Sequence, residues 1–154
     1  MKVLLISIRP QYAEKILSGE KTIEFRRVRP NVQAGDLCLM YASGAQRALV
    51  GAFTVGGVVA TTASSMWRKW RRQSGTDRAS FMSYFDGTEI AYGLLVQCSE
   101  PLGVDIPLEG LRTLWPGFHP PQSFRFLDSD EALHRVLLRR VFRDLDGRIP
   151  HPSL

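Results

Sequence analysis

Three charged residues near the N-terminus have the types and spacing to form a binding or catalytic site. Lys21 comes directly before a short segment in which Glu24 and Arg26 alternate with apolar residues. Alternation of this kind places Glu24 and Arg26 on one face of a strand, close to Arg9. The cations of such a group bind phosphate, and its carboxylate accepts a hydrogen bond from a base amino group. The alternative is a solvated charged face, in which exposed ion pairs contribute little.

A second segment, residues 66–72, alternates aromatic and basic side chains. Helical spacing puts Trp67 and Trp70 on one face and Arg68 and Arg72 on another. The simpler interpretation, which we favour, is a helix packed by its tryptophans with its arginines in water. The functional interpretation is a basic lip beside the site, with Arg68 on a phosphate and an exposed tryptophan available for stacking.

A third segment, residues 115–125, holds aromatic side chains between proline and glycine. Loops of this composition and length often cover a binding site. In that case Ser123 and Arg125 face the charged group from the opposite side. The alternative is that the aromatic side chains of the segment close the end of the fold.

Short apolar runs separated by turn residues predict the elements that must position these side chains. We expect strands over residues 3–8, 22–28, 37–42, 48–62, 90–99 and 123–127. Helices are predicted over residues 10–18, 64–72, 79–85 and 129–142. About six short strands and a few helices exclude a doubly wound parallel sheet. They predict an α+β fold, a small mixed or antiparallel β-barrel with helices packed outside it and at its mouth.

Composition indicates one globular domain over residues 1–154, since 44% of the residues are hydrophobic and 23% are charged. Twenty Lys and Arg against fifteen Asp and Glu give a formal net charge of +5. A modest positive excess fits a polyanionic partner and also fits a protein that is merely well dissolved.

Two cysteines and three histidines show no spacing typical of metal ligands. Cys38 and Cys98 lie in apolar runs, so we predict two buried thiols and no disulfide. No phosphate-binding or dinucleotide-binding motif is present, and we expect no metal and no cofactor. No apolar segment is long enough to suggest a secretory signal or a membrane span, so we expect a cytoplasmic protein that does not bind membranes.

The sequence resembles the ASCH family, a branch of the PUA-like superfamily of small β-barrels. The matching features are an S-I-x-P start at residues 7–10 and a G-x-K-x-x-E-x-R run at residues 19–26. A Gly-Asp turn at residues 35–36, a strand that ends in Tyr41-Ala42-Ser43, and Leu49-Val50-Gly51 also match. The resemblance is specific up to about residue 60 and diffuse afterwards.

The resemblance implies a cleft beside residues 19–26 that binds RNA or another nucleic acid. We therefore expect RNA, a single-stranded nucleic acid or a nucleotide as the partner. The side chains predicted to contact it are Arg9, Lys21, Glu24, Arg26, Tyr41, Ser43, Arg68, Ser123 and Arg125.

Catalysis is the first alternative, because some bacterial members of the family hydrolyse acetylated cytidine and nuclease activity has been proposed for others. In an enzyme, Lys21 acts as general base or nucleophile and Glu24 as proton shuttle. The amidohydrolase pattern has a threonine three residues after its lysine. Here Glu24 takes that place, and a carboxylate cannot play the role of a hydroxyl unchanged.

A protein-interaction domain is the other alternative. In that case Trp67, Trp70 and the loop at residues 115–118 form a partner surface. A large exposed apolar patch away from Lys21 favours this interpretation.

Overall fold

The structure is a computed structural model that describes residues 1–128. The helix predicted over residues 129–142 lies outside the described residues. The described part of the chain forms six strands: β1 (Val3–Ile8), β2 (Ile23–Arg26), β3 (Leu37–Ala42), β4 (Ala48–Thr61), β5 (Ala91–Pro107) and β6 (Phe124–Phe126). Its helices are α1 (Pro10–Ser18), α2 (Ala63–Trp70), α3 (Arg78–Tyr84) and α4 (Leu108–Leu114), with a 3₁₀ turn at Arg71–Gln73.

All six strands belong to one sheet, in the order β2-β5-β4-β3-β1-β6. β1 and β3 run parallel, and the other neighbours in the sheet run antiparallel. The sheet curls into a half-barrel, and β2 and β6 are its two edges. The predicted α+β fold, a small mixed β-barrel of about six strands with flanking helices, is therefore confirmed.

Helix α1 brings the charged segment to the edge of the sheet. Pro10 begins the helix, where a missing N–H costs nothing, and Gly19 ends it with φ 84°. The Lys21 N–H then donates to the Lys15 carbonyl over 2.9 Å. This turn returns the chain along the helix, so that Lys21 stands immediately before β2.

Apolar packing accounts for the aromatic side chains of residues 66–72 and 115–125. Trp67 lies 5.2 Å from the Phe81 ring in a cluster that also contains Phe25. Phe118 is 3% exposed, and Trp115 packs beside it at 5.1 Å between ring centroids. These side chains fill the space between the helices and the sheet. This agrees with the simpler interpretation of residues 66–72 and with the packing alternative for the aromatic side chains of residues 115–125.

Two sequence expectations differ from the structure in the region of β5. The strand was expected to end at residue 99 but continues to Pro107. Cys98, with φ 46°, lies at a bulge where the strand bends and then resumes its pairing with β4. Cys98 is consequently exposed, and the prediction of two buried thiols is wrong for it; both cysteines are free. Helix α4 was not predicted, since Gly110 in its interior lowers its intrinsic helix propensity.

Candidate functional site

A cleft of about 1090 Å³ lies beside the β2 edge of the half-barrel. Its walls come from the start of α1, the loop before α3, α3 itself and the segment 120–123. A cleft of this size matches small-molecule and cofactor sites, which occupy roughly 300–1,000 Å³.

Three buried charged side chains form the floor of the cleft. Lys21, Glu24 and Arg26 are 2%, 5% and 6% exposed. Glu24 and Arg26 share one face of β2, as their spacing predicted. The alternative of a solvated charged face does not hold, because the polar face of β2 lines the cleft and all four residues of the strand are buried.

Arg26 joins the two edges of the sheet. Its Nη1 donates to the Ser123 carbonyl at 3.2 Å and lies 3.4 Å from the Ser123 hydroxyl. Its Nη2 donates to the Ser7 carbonyl at 3.1 Å. The same Ser123 carbonyl accepts from the Ser7 N–H at 2.9 Å. Arg26 therefore ties β2 to β1 and to the segment that leads into β6.

Glu24 makes fewer contacts than its neighbour. Its Oε2 lies 3.9 Å from Arg26 Nη2, which is an ion pair between buried side chains. The same oxygen is buried and has no hydrogen-bond partner among the described residues. A buried carboxylate oxygen without a donor is costly, so this oxygen is a ready acceptor for a ligand N–H or O–H.

Lys21 lies between two aromatic rings. Its Nζ is 4.7 Å from the centroid of the Phe25 ring and 5.2 Å from that of Tyr12, and it donates to the Ser74 carbonyl at 2.5 Å. Burial lowers the pKa of Lys21, and Arg26 lowers it further, whereas Glu24 raises it. The net direction is downward, so the Lys21 ammonium gives up its proton more readily than an exposed lysine does.

The segment before α3 holds Lys21 in place. Ser74 presents its carbonyl to Lys21, and its hydroxyl donates to the Arg71 carbonyl at 2.7 Å. The next carbonyl, that of Gly75, accepts from Lys15 Nζ at 2.7 Å. Gly75 has φ 64°, and a Cβ there would come within 2.9 Å of Lys21 Cβ. Only glycine fits this position without displacing the lysine.

Exposed arginines form the rim of the cleft: Arg9, Arg27, Arg47 and Arg112. With Lys21 and Arg26 they bring the cleft to six cations, and Glu24 is the one carboxylate among its lining residues. A cleft with this balance attracts an anion. Sequence reasoning missed Arg47, which has φ 47° in the turn before β4, and Arg112, which lies on the unpredicted α4.

Hydroxyl groups line the cleft between the floor and the rim. Tyr41 is 3% exposed and packs on Phe118, and Ser43 donates to the Ile8 carbonyl at 3.1 Å. Tyr84 is 41% exposed and donates to the Phe25 carbonyl at 3.2 Å. Burial of its hydroxyl raises the pKa of Tyr84. Tyr84 therefore presents a fixed, accessible ring that sequence reasoning did not select.

Seven of the nine predicted contact residues line this cleft: Arg9, Lys21, Glu24, Arg26, Tyr41, Ser43 and Ser123. Arg68 does not, because α2 buries Met66 and turns Arg68 outward into a separate groove. Arg125 does not line it either; its guanidinium stacks 4.2 Å above the Trp115 ring. Both were predicted to reach the cleft, and the packing of their elements directs them elsewhere.

Residues 1–128 contain neither a metal-binding cluster nor a membrane-spanning helix. No cluster of three or more His, Cys, Asp or Glu is arranged to hold a metal ion within that range. None of the helices described there combines the length and the apolar character that crossing a membrane requires.

Comparison with known proteins points to one family. A family model described as "ASCH domain" matches residues 6–102. An "ASCH domain-containing ribonuclease" of Zymomonas mobilis subsp. mobilis is 30% identical over 137 residues, which cover 89% of this chain and 92% of that protein. A crystal structure of ASCH from Zymomonas mobilis matches with a TM-score of 0.81 at 30% identity, covering 89% of this chain and 95% of that one. A tyrosine-to-phenylalanine variant of it matches with a TM-score of 0.82 at 29% identity, covering 90% and 99% of the two chains.

Proposed function

The chain belongs to the ASCH domain family, and from this premise we propose that it binds single-stranded RNA in the cleft. The observation that carries the proposal is the charge of the cleft, in which six cations surround one carboxylate. The ribonuclease name of the Zymomonas relative supports RNA over other polyanions. Nucleic-acid affinity arises mainly from cations on phosphates, and the rim supplies four that solvent and ligand can reach.

The rim and the floor have different roles in this proposal. Lys21 and Arg26 are 2% and 6% exposed and their side chains are held by backbone carbonyls, so they are poor candidates for phosphate contacts. The exposed guanidinium groups of Arg9 and Arg47 have the freedom to follow a phosphate backbone. Glu24 Oε2 has no donor among residues 1–128 and lies at the floor, where it accepts from the amino or imino group of a base.

Single-stranded RNA fits this geometry better than a duplex. Glu24 is 5% exposed, so a base must leave its stack to reach the carboxylate. Tyr84, with its accessible ring, offers the next base a stacking partner of the kind that single-strand binders use. An RNA duplex displays its base edges in grooves that a buried floor cannot enter.

A fluorescence anisotropy titration tests the proposal. Labelled single-stranded RNA, duplex RNA and single-stranded DNA are titrated at about 50 mM and about 200 mM salt. Each neutralised phosphate of a single strand contributes about −0.7 to the slope of log affinity against log salt, so four rim contacts give about −2.8. Fourfold more salt should then weaken binding about 50-fold. A flat salt response, or tighter binding of the duplex, would overturn the proposal.

The rim itself is tested by a pair of matched variants. Arg9→Gln with Arg47→Gln removes two rim cations and should reduce the slope by about 1.4. Lys2→Gln with Arg29→Gln makes the same charge change at exposed positions outside the cleft lining. Equal slopes for the two double variants would show that only net charge matters and that the rim makes no contact.

Cleavage of the bound RNA is a second candidate activity. It is favoured by the name of the Zymomonas relative and by the lowered pKa of Lys21. In its neutral form Lys21 takes the proton of a ribose 2′-hydroxyl, and the 2′-oxygen bonds to the adjacent phosphorus. The bond from phosphorus to the 5′-oxygen breaks, and that oxygen takes a proton from a water molecule, which regains one from Lys21. The products are a 2′,3′-cyclic phosphate and a 5′-hydroxyl, which balances the step.

Cleavage is tested on labelled RNA with Lys21→Met and Lys15→Met compared with the unsubstituted protein. Both variants lose one lysine bonded to the same loop, but only Lys21 lines the cleft. We expect Lys21→Met to lose cleavage and Lys15→Met to retain it. Parallel incubation with acetylcytidine tests the amidohydrolase alternative, which predicts release of acetate. Cleavage that survives Lys21→Met in a folded protein would remove Lys21 from the mechanism.

The protein-interaction alternative finds less support. It rests on aromatic residues that pack inside the molecule, since Trp67 contacts Phe81 and Phe118 is buried. The charged side chains, in contrast, line a concave site rather than a flat exterior.

A further inference from the structure

A second basic depression lies apart from the cleft, on the outer side of α2 and the 3₁₀ turn. It has a volume of about 360 Å³ and is lined by Arg68, Lys69, Arg71, Arg72 and Gln73. We call it the α2 groove. Its four cations are all exposed, and no carboxylate of the described residues lines it.

None of these four cations forms an ion pair within residues 1–128, and the only hydrogen bond from their side chains there runs from Arg68 to the Ser65 hydroxyl at 3.3 Å. Like charges three and four residues apart on a helix repel one another. The negative end of the helix dipole offsets part of that repulsion. A concave cluster of unpaired cations is nevertheless a site where an anion binds favourably.

The α2 groove and the cleft share one short connecting segment. Gln73 lines the groove and Thr76 lines the cleft, three residues later. Three residues of extended chain span at most about 10 Å, so the two sites are close neighbours. Between them, the Ser74 carbonyl accepts from Lys21 Nζ at the floor of the cleft.

We propose that the α2 groove is a second phosphate-binding site, which holds the backbone of an RNA strand whose base occupies the cleft. This inference rests on the proposed RNA binding and adds a length requirement to it. A dinucleotide is short enough to stay within the cleft, whereas a longer strand engages both sites. The groove thus selects for extended single strands.

Binding of a labelled uridine dinucleotide and a labelled uridine decamer tests this inference. Lys69→Gln with Arg72→Gln removes two groove cations whose side chains make no hydrogen bond within the described residues. If each holds one phosphate, the salt slope for the decamer falls by about 1.4. If the two proteins bind the decamer equally at 1 M salt, this change in slope makes the variant bind it about 25-fold more weakly than the unsubstituted protein at 0.1 M salt. Dinucleotide affinity should stay within about twofold of the unsubstituted protein.

Lys2→Gln with Arg29→Gln is the matched control for charge, since neither residue lines the groove or the cleft. The inference is overturned if the groove variant and this control bind the decamer equally. It is also overturned if the unsubstituted protein binds both lengths with the same salt slope. Failure of the unsubstituted protein to bind either RNA would instead reject the proposed function on which the groove depends.

Discussion

Replacing Arg26 and Glu24 separately should have very different effects on folding. Arg26 connects β2 to Ser7 and Ser123 across the two edges of the sheet. Glu24 forms an ion pair with Arg26 at 3.9 Å, and its Oε2 lacks a hydrogen-bond partner in the described structure. We therefore expect Arg26 to contribute mainly to the stability of the fold and Glu24 mainly to ligand binding.

The size of each effect on stability follows from burial, since the side chains of Arg26 and Glu24, taken without their backbone, are 8% and 7% exposed. Arg26→Gln removes the cation, leaves a buried carboxylate uncompensated, and should lower the free energy of unfolding by about 3–5 kcal/mol. Glu24→Gln leaves Arg26 with its carbonyl acceptors. Its amide keeps an oxygen acceptor, so the loss should stay below about 1 kcal/mol.

Urea-induced unfolding, followed by circular dichroism, measures this difference. With a denaturant slope of about 2 kcal/mol per molar urea, Arg26→Gln should lower the midpoint by roughly 2 M. Glu24→Gln should shift it by less than about 0.5 M while it weakens RNA binding with the salt slope nearly unchanged. Equal destabilisation by the two substitutions would show that Glu24 is a structural partner, and its assignment to the ligand would be refuted.

Three further predictions concern Gly75 in the loop before α3, Lys21 at the floor of the cleft, and Tyr84 between the floor and the rim. Gly75→Ala should destabilise the protein by about 1–2 kcal/mol in urea unfolding, because of its φ of 64° and the crowding of Lys21. The unfolded chain binds more protons at Lys21 than the folded one, since folding lowers its pKa below 10.5. The urea concentration at the unfolding midpoint should therefore increase as the pH is raised from about 8 to about 10. The increase should be larger in the unsubstituted protein than in Lys21→Met. Tyr84→Leu should weaken RNA binding about tenfold in the anisotropy assay, whereas Tyr84→Phe keeps the stacking ring and the affinity.

The floor of the cleft could be predicted from the sequence because its determinants are local. Strand alternation put Glu24 and Arg26 on one face, and Gly19 ended α1 just before Lys21. The burial of that face could not be predicted, since Ser7 and Ser123 are distant in sequence and close over β2 only in the folded chain.

The rim was harder to predict because tertiary packing decides which cations reach it. Arg68 belongs to an obvious basic cluster, yet burial of Met66 turns it away from the cleft. Arg47 and Arg112 carry no local signal, since one lies in a turn and the other on α4. They meet at the cleft only because the sheet curls and brings these separate elements together.

The location of RNA on the protein is the central claim, and a nuclear magnetic resonance titration tests it most directly. Backbone amide shifts are followed in the isotope-labelled protein as a single-stranded RNA is added. The largest changes should fall on the cleft lining, at Arg9, on β2 and its flanks from Lys21 to Val28, at Arg47 and around Tyr84. Changes confined to the α2 groove or to the opposite face of the sheet, with none at Lys21 or Glu24, would contradict binding in the cleft.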